Sequence, residues 1–320
     1  MIDINKVLSP RKAYAEALIE LGSQDKRIVV LDADLAKSTK TIEFGKKFPE
    51  RFFDVGISEQ DMMGTAAGLA LSGKIVFAST FAIFATGRAW EQIRTSIAYP
   101  YLNVKIVATH GGIATGQDGV THQATEDIAL MRAIPGMRVL VPSDAYQTKM
   151  LVKKVAYIDG PFYIRLTRPS LPVIYKGIEE FEVGKSFILR DGEDVAIFAI
   201  GLLVGNALLA AEMLENEGIS AAVIDAYSVK PIDRRTIIKY AKKTKLIVTC
   251  EDHTIIGGLG DAVGEVLLKE YPVHLLKIGI EDRFCESGTP EELYEKYGLT
   301  PESIANKIKS FVRKFQKVKV

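Results

Sequence analysis

Short apolar runs alternate with helix-like segments through the first half of the chain. The runs predict buried strands at 27–31, 52–55, 75–78, 104–108, 138–141 and 162–166. Apolar residues at helical spacing predict helices at 11–21, 59–71, 85–98, 126–133 and 145–156. Ser58 and Ser143 stand where the N-caps of two of these helices would fall. Regular alternation of this kind predicts an α/β fold, with a mostly parallel sheet flanked by helices on both faces.

The second half repeats the alternation after a segment rich in proline and charge at 169–182. Strands are predicted at 194–200, 221–225, 245–250 and 274–278. Helices are predicted at 204–217, 233–243, 261–269 and 291–297, and an amphipathic helix is predicted in the tail, 307–319. We therefore predict two α/β domains, over residues 1–175 and 185–320.

The composition is that of an ordinary soluble globular protein. The net charge is +1, so neither nucleic acid nor an anionic membrane surface is predicted as a partner. Cys250 and Cys285 are the two cysteines of the chain and lack metal-like spacing, which favours a reducing compartment. The amino terminus lacks the apolar core of a signal peptide, and no apolar run is long enough to span a membrane. A cytoplasmic protein is the expectation.

The segment 110–122 concentrates polar and flexible residues directly after a predicted buried strand. It contains His110, Asp118, His122 and four glycines. Open α/β sheets bind their ligands beyond the carboxyl ends of the strands, so this loop is predicted to be the wall of an active site. As metal ligands, the three polar residues would have loop spacings of eight and four, which fit no familiar site. No metal site is therefore predicted.

Other polar or aromatic residues follow the remaining strands of the first half. They are Asp34, Ser38, Glu59, Phe81, Phe84 and Arg168. Because the carboxyl ends of parallel strands share one edge of a sheet, these residues are expected to meet the 110–122 loop in one crevice. A first-turn glutamate such as Glu59 can simply complement the helix dipole. The helix that follows is almost wholly apolar and therefore buried, which favours a position for Glu59 at an interface or in a cleft.

Three motifs of the first half, in their order and spacing, resemble the pyrimidine-binding domain of transketolases. They are Gly-Ile-Ser-Glu-Gln-Asp-Met-Met-Gly at 56–64, Ser-Thr-Phe-Ala-Ile-Phe at 79–84, and His-Gly-Gly followed by Gly-Gln-Asp-Gly-Val-Thr-His-Gln at 110–123. The second half resembles the carboxy-terminal domain of that family, through Ser-Val-Lys-Pro-Ile-Asp at 228–233 and the segment 251–260. The resemblance covers essentially the whole chain but not a whole transketolase. The Gly-Asp-Gly signature of the amino-terminal domain, which holds the cofactor diphosphate and its magnesium, does not occur.

The resemblance implies a thiamine diphosphate-dependent enzyme that is split over two polypeptides. This chain would be the carboxy-terminal subunit, and a separate amino-terminal subunit would hold Mg²⁺. Only together would they transfer a two-carbon ketol unit between sugar phosphates. The resemblance also implies a homodimer through the first domain, with the cofactor at a subunit interface.

The resemblance further implies a role for each site residue. Glu59 would hydrogen-bond the aminopyrimidine ring nitrogen of the cofactor and promote its activation, and Phe81 and Phe84 would flank that ring. His122 would act beside the reacting carbons, and Asp118 would recognise a hydroxyl group of the sugar. The substrate phosphate would be held by Arg11, Ser38, His110 and Arg168.

One departure from the family pattern leaves part of the pocket undefined. The third aromatic of the family's pyrimidine pocket falls at Gly87 here. Two alternatives also remain. The β subunit of a 2-oxo acid dehydrogenase shares the two-domain layout, although it would have no use for a phosphate-binding His110. A non-catalytic subunit is the other, and the presence of Glu59, Asp118 and His122 together speaks against it.

Overall fold

Strands recur along the chain within residues 3–177 and 180–317, which this computed structural model describes. They are β1 (Asp3–Leu8), β2 (Ile28–Asp32), β3 (Phe52–Asp54), β4 (Ile75–Phe81), β5 (Val104–Thr109), β6 (Arg138–Leu140), β7 (Phe162–Arg165), β8 (Leu171–Val173), β9 (Phe187–Arg190), β10 (Val195–Ala199), β11 (Ala221–Asp225), β12 (Ser228–Lys230), β13 (Leu246–Thr254) and β14 (His274–Ile280).

Helices lie between most of these strands. They are α1 (Pro10–Gln24), α2 (Ala36–Thr39), α3 (Ile42–Lys47), α4 (Glu59–Leu71), α5 (Trp90–Gln92), α6 (Asp127–Ala133), α7 (Ala145–Ala156), α8 (Leu203–Glu215), α9 (Arg234–Lys243), α10 (Leu259–Glu270), α11 (Pro290–Lys296) and α12 (Pro301–Lys317). Segments Phe84–Arg88 and Ile93–Ala98 are π-helical, and Pro49–Arg51 and Ile113–Asp118 are 3-10 helical.

The first half of the chain builds a sheet in the order β12–β6–β7–β5–β4–β2–β3. Its strands run parallel, except for β12, which comes from the second half and pairs antiparallel with β6. Strands β2, β4, β5 and β7 are buried along their full length, because α1 and α7 cover one face and α4 and α6 cover the other. Their carboxyl ends therefore lie side by side at one edge of the sheet.

The second half builds a smaller sheet in the order β14–β13–β10–β11–β9, parallel except for β9. Helices α8, α11 and α12 pack on one face. Helices α9 and α10 pack on the other, and their apolar residues belong to the same continuous cluster as those of α4 and α6. The two sheets thus share a core, which fixes the loops of one against the other. The fold is the two-domain α/β arrangement that the apolar patterns predict.

Most of the predicted elements are present, and the errors are local. Helices α4 and α7 begin and end at the predicted residues. Ser58 occupies the predicted N-cap position of α4 but makes no capping hydrogen bond. The second predicted N-cap is wrong, because Asp144, not Ser143, caps α7. The helix predicted at 85–98 is broken into two π-helical segments around α5. The short strands β1, β8, β9 and β12 were not predicted, since they pair antiparallel with partners distant in sequence.

Two predicted segments reach beyond the described residues. These are positions 178–179 of the segment between the two sheets and positions 318–319 of the terminal helix. Within the described part of the chain, none of the helices combines the length and the apolar character that a membrane crossing requires.

Candidate active site

Strand ends of the first sheet bring the predicted site residues together. Ser38 follows β2, Phe81 ends β4, His110 follows β5 and Arg168 follows β7. These four strands are neighbours in the order β7–β5–β4–β2, so the residues that follow them emerge along one edge. Glu59 comes from beyond the next strand, β3, as the first residue of α4.

Glu59, Phe84 and Arg88 form one contact group, which we call the aromatic pocket. Glu59 is 2% exposed although it is the first residue of its helix. Arg88 Nη1 donates to both carboxylate oxygens of Glu59, at 3.0 and 2.8 Å, and the Arg88 guanidinium carbon lies 4.7 Å from the centre of the Phe84 ring. The Arg88 side chain itself is 49% exposed. A nearly buried carboxylate is therefore covered by a half-exposed cation.

Two histidines of the 110–122 loop border the aromatic pocket. The His110 ring stacks on Phe81 with centroids 3.7 Å apart, and Phe81 lies parallel to Phe84 at 5.9 Å. His122 meets the Phe84 ring edge-on at 5.3 Å. Because Phe81 is buried and already stacked on His110, the partly buried Phe84 is the ring with area left for a planar ligand.

His110 is held in an unusual backbone and electrostatic state. Its φ is 60°, in the left-handed region that residues other than glycine rarely adopt. Thr115 Oγ1 donates to the His110 carbonyl at 2.8 Å, and the hydroxyl of Thr109 lies 2.8 Å from Nδ1. Burial lowers the pKa of His110 to about 3, and the positive charges of Arg11 and Arg168 act in the same direction. The imidazole is consequently neutral at neutral pH.

Arg11 contacts Ser38 and Arg168, and both arginines are close enough to His110 to act on its charge. We call these four residues the cationic mouth. Arg11 donates to the backbone carbonyls of Ser38 and Arg168, each at 2.8 Å. Arg11 Nε is buried and has no hydrogen-bond partner among the described residues. Burial, together with the nearby charge of Arg168, lowers the pKa of Arg11. Two guanidinium groups beside a neutral imidazole are a donor set suited to a dianionic phosphate.

Asp118 and His122 lie on the loop between the two contact groups. Asp118 Oδ2 lies 3.5 Å from Arg168 Nη1, and its side chain is 41% exposed. The Thr121 hydroxyl lies 2.9 Å from His122 Nδ1, which leaves Nε2 as the ring nitrogen that can meet a substrate. A carboxylate acceptor and an imidazole nitrogen are groups that can bind the hydroxyls of a sugar.

The second half of the chain holds this loop in place. Asp252 accepts hydrogen bonds from the backbone N–H of Ile113 at 2.9 Å and from the Tyr294 hydroxyl at 2.5 Å. Arg165 donates to the carbonyl of Asp252 at 2.7 Å. A Cβ added at Gly112, where φ is +80°, would lie 2.0 Å from Asp252 Oδ2. The glycine therefore admits the carboxylate that fixes the loop.

Two residues of this region, Arg88 and Asp252, are absent from the predicted site set. Arg88 follows Phe84 by four residues, a spacing that places both on one face of a helix, and this was the available signal. Asp252 could be suspected only as a charged residue late in an apolar strand. At Gly87, where the family has its third aromatic, a Cβ would meet Ile83 Cδ1 at 3.8 Å, an ordinary contact. The side chain that meets Glu59 is that of the next residue, Arg88.

The fold and the site define a class: a two-domain α/β protein with an acid–aromatic pocket at the strand ends of its first sheet. The family model described as "Transketolase, pyrimidine binding domain" matches residues 6–173, and the one described as "Transketolase, C-terminal domain" matches residues 184–304. The chain belongs to the transketolase family, whose domains bind thiamine diphosphate.

Relatives of similar length share the whole arrangement. A protein assigned as a transketolase C-terminal section from Methanocaldococcus jannaschii is 54% identical over 308 residues, 95% of this chain and 96% of that protein. One of the subunits of an apulose-4-phosphate transketolase from Phocaeicola vulgatus is 41% identical, over 97% of this chain and 99% of that one. A solved structure described as a split gene transketolase, inactive beta4 tetramer, is 54% identical, with a TM-score of 0.89 and coverage of 95% and 98%.

The same chain matches only part of the mammalian transketolases. In the human and rat enzymes, the matched region is 49% of their length.

Proposed function

We propose that this chain is the carboxy-terminal subunit of a split, thiamine diphosphate-dependent transketolase. Together with a separate amino-terminal subunit, it transfers a two-carbon ketol unit from a ketose phosphate to an aldose phosphate. The observation that carries the proposal is the aromatic pocket and the cationic mouth on one edge of a single sheet. The first suits a pyrimidine ring, and the second suits the phosphate of a sugar.

The side chains of the aromatic pocket fit the aminopyrimidine ring of thiamine diphosphate. Glu59 offers a nearly buried carboxylate to a ring nitrogen, and Phe84 offers a partly open ring face. When bound, the cofactor supplies the nucleophilic carbon and the electron sink for the two-carbon unit. The family resemblance assigns the diphosphate and Mg²⁺ to the amino-terminal subunit. Among the described residues of this chain, no group of three or more His, Cys, Asp or Glu is arranged to hold a metal ion.

Each of the remaining polar residues of the site has a separate role. Glu59 holds a proton at the pyrimidine ring nitrogen, which favours the form of the ring that acts as a base. His122, through Nε2, donates to the oxygen of the donor sugar as negative charge develops there. Asp118 accepts a hydrogen bond from a sugar hydroxyl and so selects its stereochemistry.

The cationic mouth holds the substrate phosphate. Arg11 and Arg168 present charged donors, Ser38 adds a hydroxyl, and His110 adds an imidazole. A phosphate dianion beside His110 favours the protonated imidazole, opposing the burial that keeps the free site neutral. Substrate binding and proton uptake by His110 are therefore coupled.

Exposed apolar residues around α4 support a homodimer through the first domain. Ile57 and Leu71, near the two ends of α4, are 76% and 73% exposed. A Cβ added at Gly64 or Gly68 meets no atom of the described chain within 4 Å. Such a face can pack closely against a second copy. We expect Gly64→Arg to dissociate the dimer with little effect on the fold, and sedimentation velocity with circular dichroism checks both; an unchanged oligomer would place the interface elsewhere.

Two further parts of the proposal are the cellular compartment of the protein and its dependence on a partner. Cys250 and Cys285 are buried and unpaired, as expected in a reducing compartment, and we place the protein in the cytoplasm. The related split gene transketolase is described as an inactive tetramer, which supports dependence on a partner here.

Reconstitution tests the proposal. Ketol transfer from xylulose 5-phosphate to ribose 5-phosphate is measured with thiamine diphosphate and Mg²⁺, using this chain alone and mixed with an amino-terminal transketolase half from the same genome. Activity is expected only in the mixture. Turnover by the chain alone would contradict the split site, and a stable but silent complex would contradict the substrate assignment.

A further inference from the structure

Arg88 contacts the two groups that would hold an aminopyrimidine in the aromatic pocket. Its Nη1 satisfies both oxygens of Glu59, and its guanidinium carbon lies 4.7 Å from the centre of the Phe84 ring. A pyrimidine that hydrogen-bonds Glu59 and lies on Phe84 would use the same carboxylate and the same ring face. The arginine and the cofactor therefore exclude each other.

The guanidinium is also a chemical stand-in for the ring that it would exclude. It is planar, and its N–H group donates to a carboxylate as the protonated ring nitrogen of a pyrimidine would. Both groups can lie flat against an aromatic ring. Glu59 and Phe84 thus meet a planar group with an N–H donor in both states.

Burial explains why the Glu59 carboxylate needs a partner, and exposure explains how the Arg88 side chain can leave it. An unpaired carboxylate that is 2% exposed is costly, and Arg88 removes that cost. The Arg88 side chain is 49% exposed, so its charge can return to water when another group takes over Glu59. Gln60 Nε2 donates to the Arg88 carbonyl at 3.2 Å, a contact that does not involve the side chain.

We propose that Arg88 is a placeholder for the cofactor, paired with Glu59 in the cofactor-free subunit and displaced when thiamine diphosphate binds. This proposal rests on the proposed function, because it takes the aromatic pocket to be the pyrimidine site. It makes Arg88 a residue that sets cofactor affinity. It also gives Arg88 opposite effects on the empty and the loaded protein: the side chain stabilises the first and weakens cofactor binding to the second.

The affinity of the reconstituted complex for thiamine diphosphate tests this inference. Binding is measured by titration calorimetry at saturating Mg²⁺ for wild type, Arg88→Met and the control Arg94→Met, an exposed arginine six residues further on. Arg88→Met is expected to bind the cofactor about tenfold more tightly, because a competing half-exposed ion pair is gone. The control is expected to bind like wild type. Equal or weaker binding by Arg88→Met would overturn the inference.

Two further measurements separate displacement from a purely structural role. In a Glu59→Gln background, Arg88→Met should no longer change cofactor affinity, since the ion pair is already absent; an undiminished gain would overturn the inference. In the partner-free chain, Arg88→Met should lower the melting temperature, whereas Arg94→Met should not. A melting temperature unchanged by Arg88→Met would count against the pairing.

Failure of the inference and failure of the proposed function give different results. Ketol transfer by the wild-type complex without tighter binding by Arg88→Met would refute only the placeholder. Tighter binding without ketol transfer would support the placeholder and refute the transferase assignment. A wild-type complex that binds no thiamine diphosphate would refute both.

Discussion

Each half of the molecule holds a glutamate beside the start of a helix, but the two carboxylates have different kinds of partner. Glu59, the first residue of α4, is covered by the half-exposed side chain of Arg88. Glu251, in β13, is fully buried and accepts from the backbone N–H groups of Leu259 and Gly260 at 2.7 and 2.8 Å. The backbone N–H groups of α10 therefore occupy the carboxylate of Glu251, whereas a side chain that can move aside covers the carboxylate of Glu59.

The difference shows why a glycine-rich turn after a strand is a weak sign of a ligand site. A Cβ at Gly258 would lie 2.0 Å from Glu251 Oε2, so this glycine makes room for the protein's own carboxylate. The helix start that could have bound a phosphate is already occupied by an anion. Burial raises the pKa of Glu251 to about 7, although its two backbone hydrogen bonds oppose that shift. Of the two, only Glu59 is paired with a half-exposed side chain.

The largest expected effect is the loss of activity in Glu59→Gln. Without the carboxyl proton at the pyrimidine nitrogen, kcat of the reconstituted complex should fall about 10³-fold, within the range for acid–base groups. Steady-state kinetics at saturating cofactor measures the loss, and Glu59→Asp should recover part of it. Activity within about twofold of wild type would contradict the assigned role of Glu59.

The corresponding substitution in the second half, at Glu251, should change the stability of the protein rather than its turnover. Glu251→Ala leaves buried backbone N–H groups at the start of α10 without their acceptor, which should lower the free energy of unfolding by about 3 kcal/mol. Urea denaturation of the isolated chain measures it. The remaining folded complex should keep the kcat of wild type. A loss of kcat as large as that of Glu59→Gln would remove the contrast between the two glutamates.

Within the first half, the cationic mouth should act on substrate binding alone. Arg168→Met should raise KM for a ketose phosphate about 30-fold, the value of one charge-assisted contact of about 2 kcal/mol. An unphosphorylated ketose should show little change, and Arg234→Met, at an exposed side chain of α9, serves as the control. An equal rise in KM for the phosphorylated and the unphosphorylated ketose would show that Arg168 does not bind the phosphate.

The smallest expected effect concerns the pH dependence of stability. The pKa of folded His110 is about 3, below the ordinary value near 6.5. The contribution of this neutral imidazole to the free energy of unfolding is therefore complete above pH 6.5 and is lost as the pH falls toward the folded value. Between pH 7.5 and pH 5, the free energy of unfolding should fall by about 2 kcal/mol more in wild type than in His110→Asn. Urea unfolding of both proteins at the two pH values checks this. Parallel losses would mean that folded His110 titrates normally.

The parts of this fold that are regular were predictable from local patterns. Helix α4 is almost wholly apolar and α7 has apolar residues at helical spacing. The parallel topology then determines which strand ends meet, so the sequence pattern already groups Ser38, Phe81, His110 and Arg168. The edge strands could not be predicted, because β12 is three residues long and pairs with a strand from the other half.

The missed parts of the site depend mainly on tertiary geometry. Arg88 ends a π-helical segment, in which the spacing departs from that of an α-helix, and it meets Glu59 across 29 positions of sequence. Asp252 meets the backbone of Ile113 across 139 positions of sequence. Contacts of this kind depend on how the two sheets share their core, and they become visible only with the tertiary structure.

The contact between Glu59 and the pyrimidine nitrogen is the central claim, and a cofactor analogue tests it most directly. In this analogue, a C–H group replaces the ring nitrogen that would face Glu59. Ketol transfer with thiamine diphosphate and with the analogue is compared in wild-type and Glu59→Ala complexes. We predict that the analogue lowers the wild-type rate about 10³-fold and that the Glu59→Ala rate is the same with both cofactors. Full activity of the wild-type complex with the analogue would contradict the account.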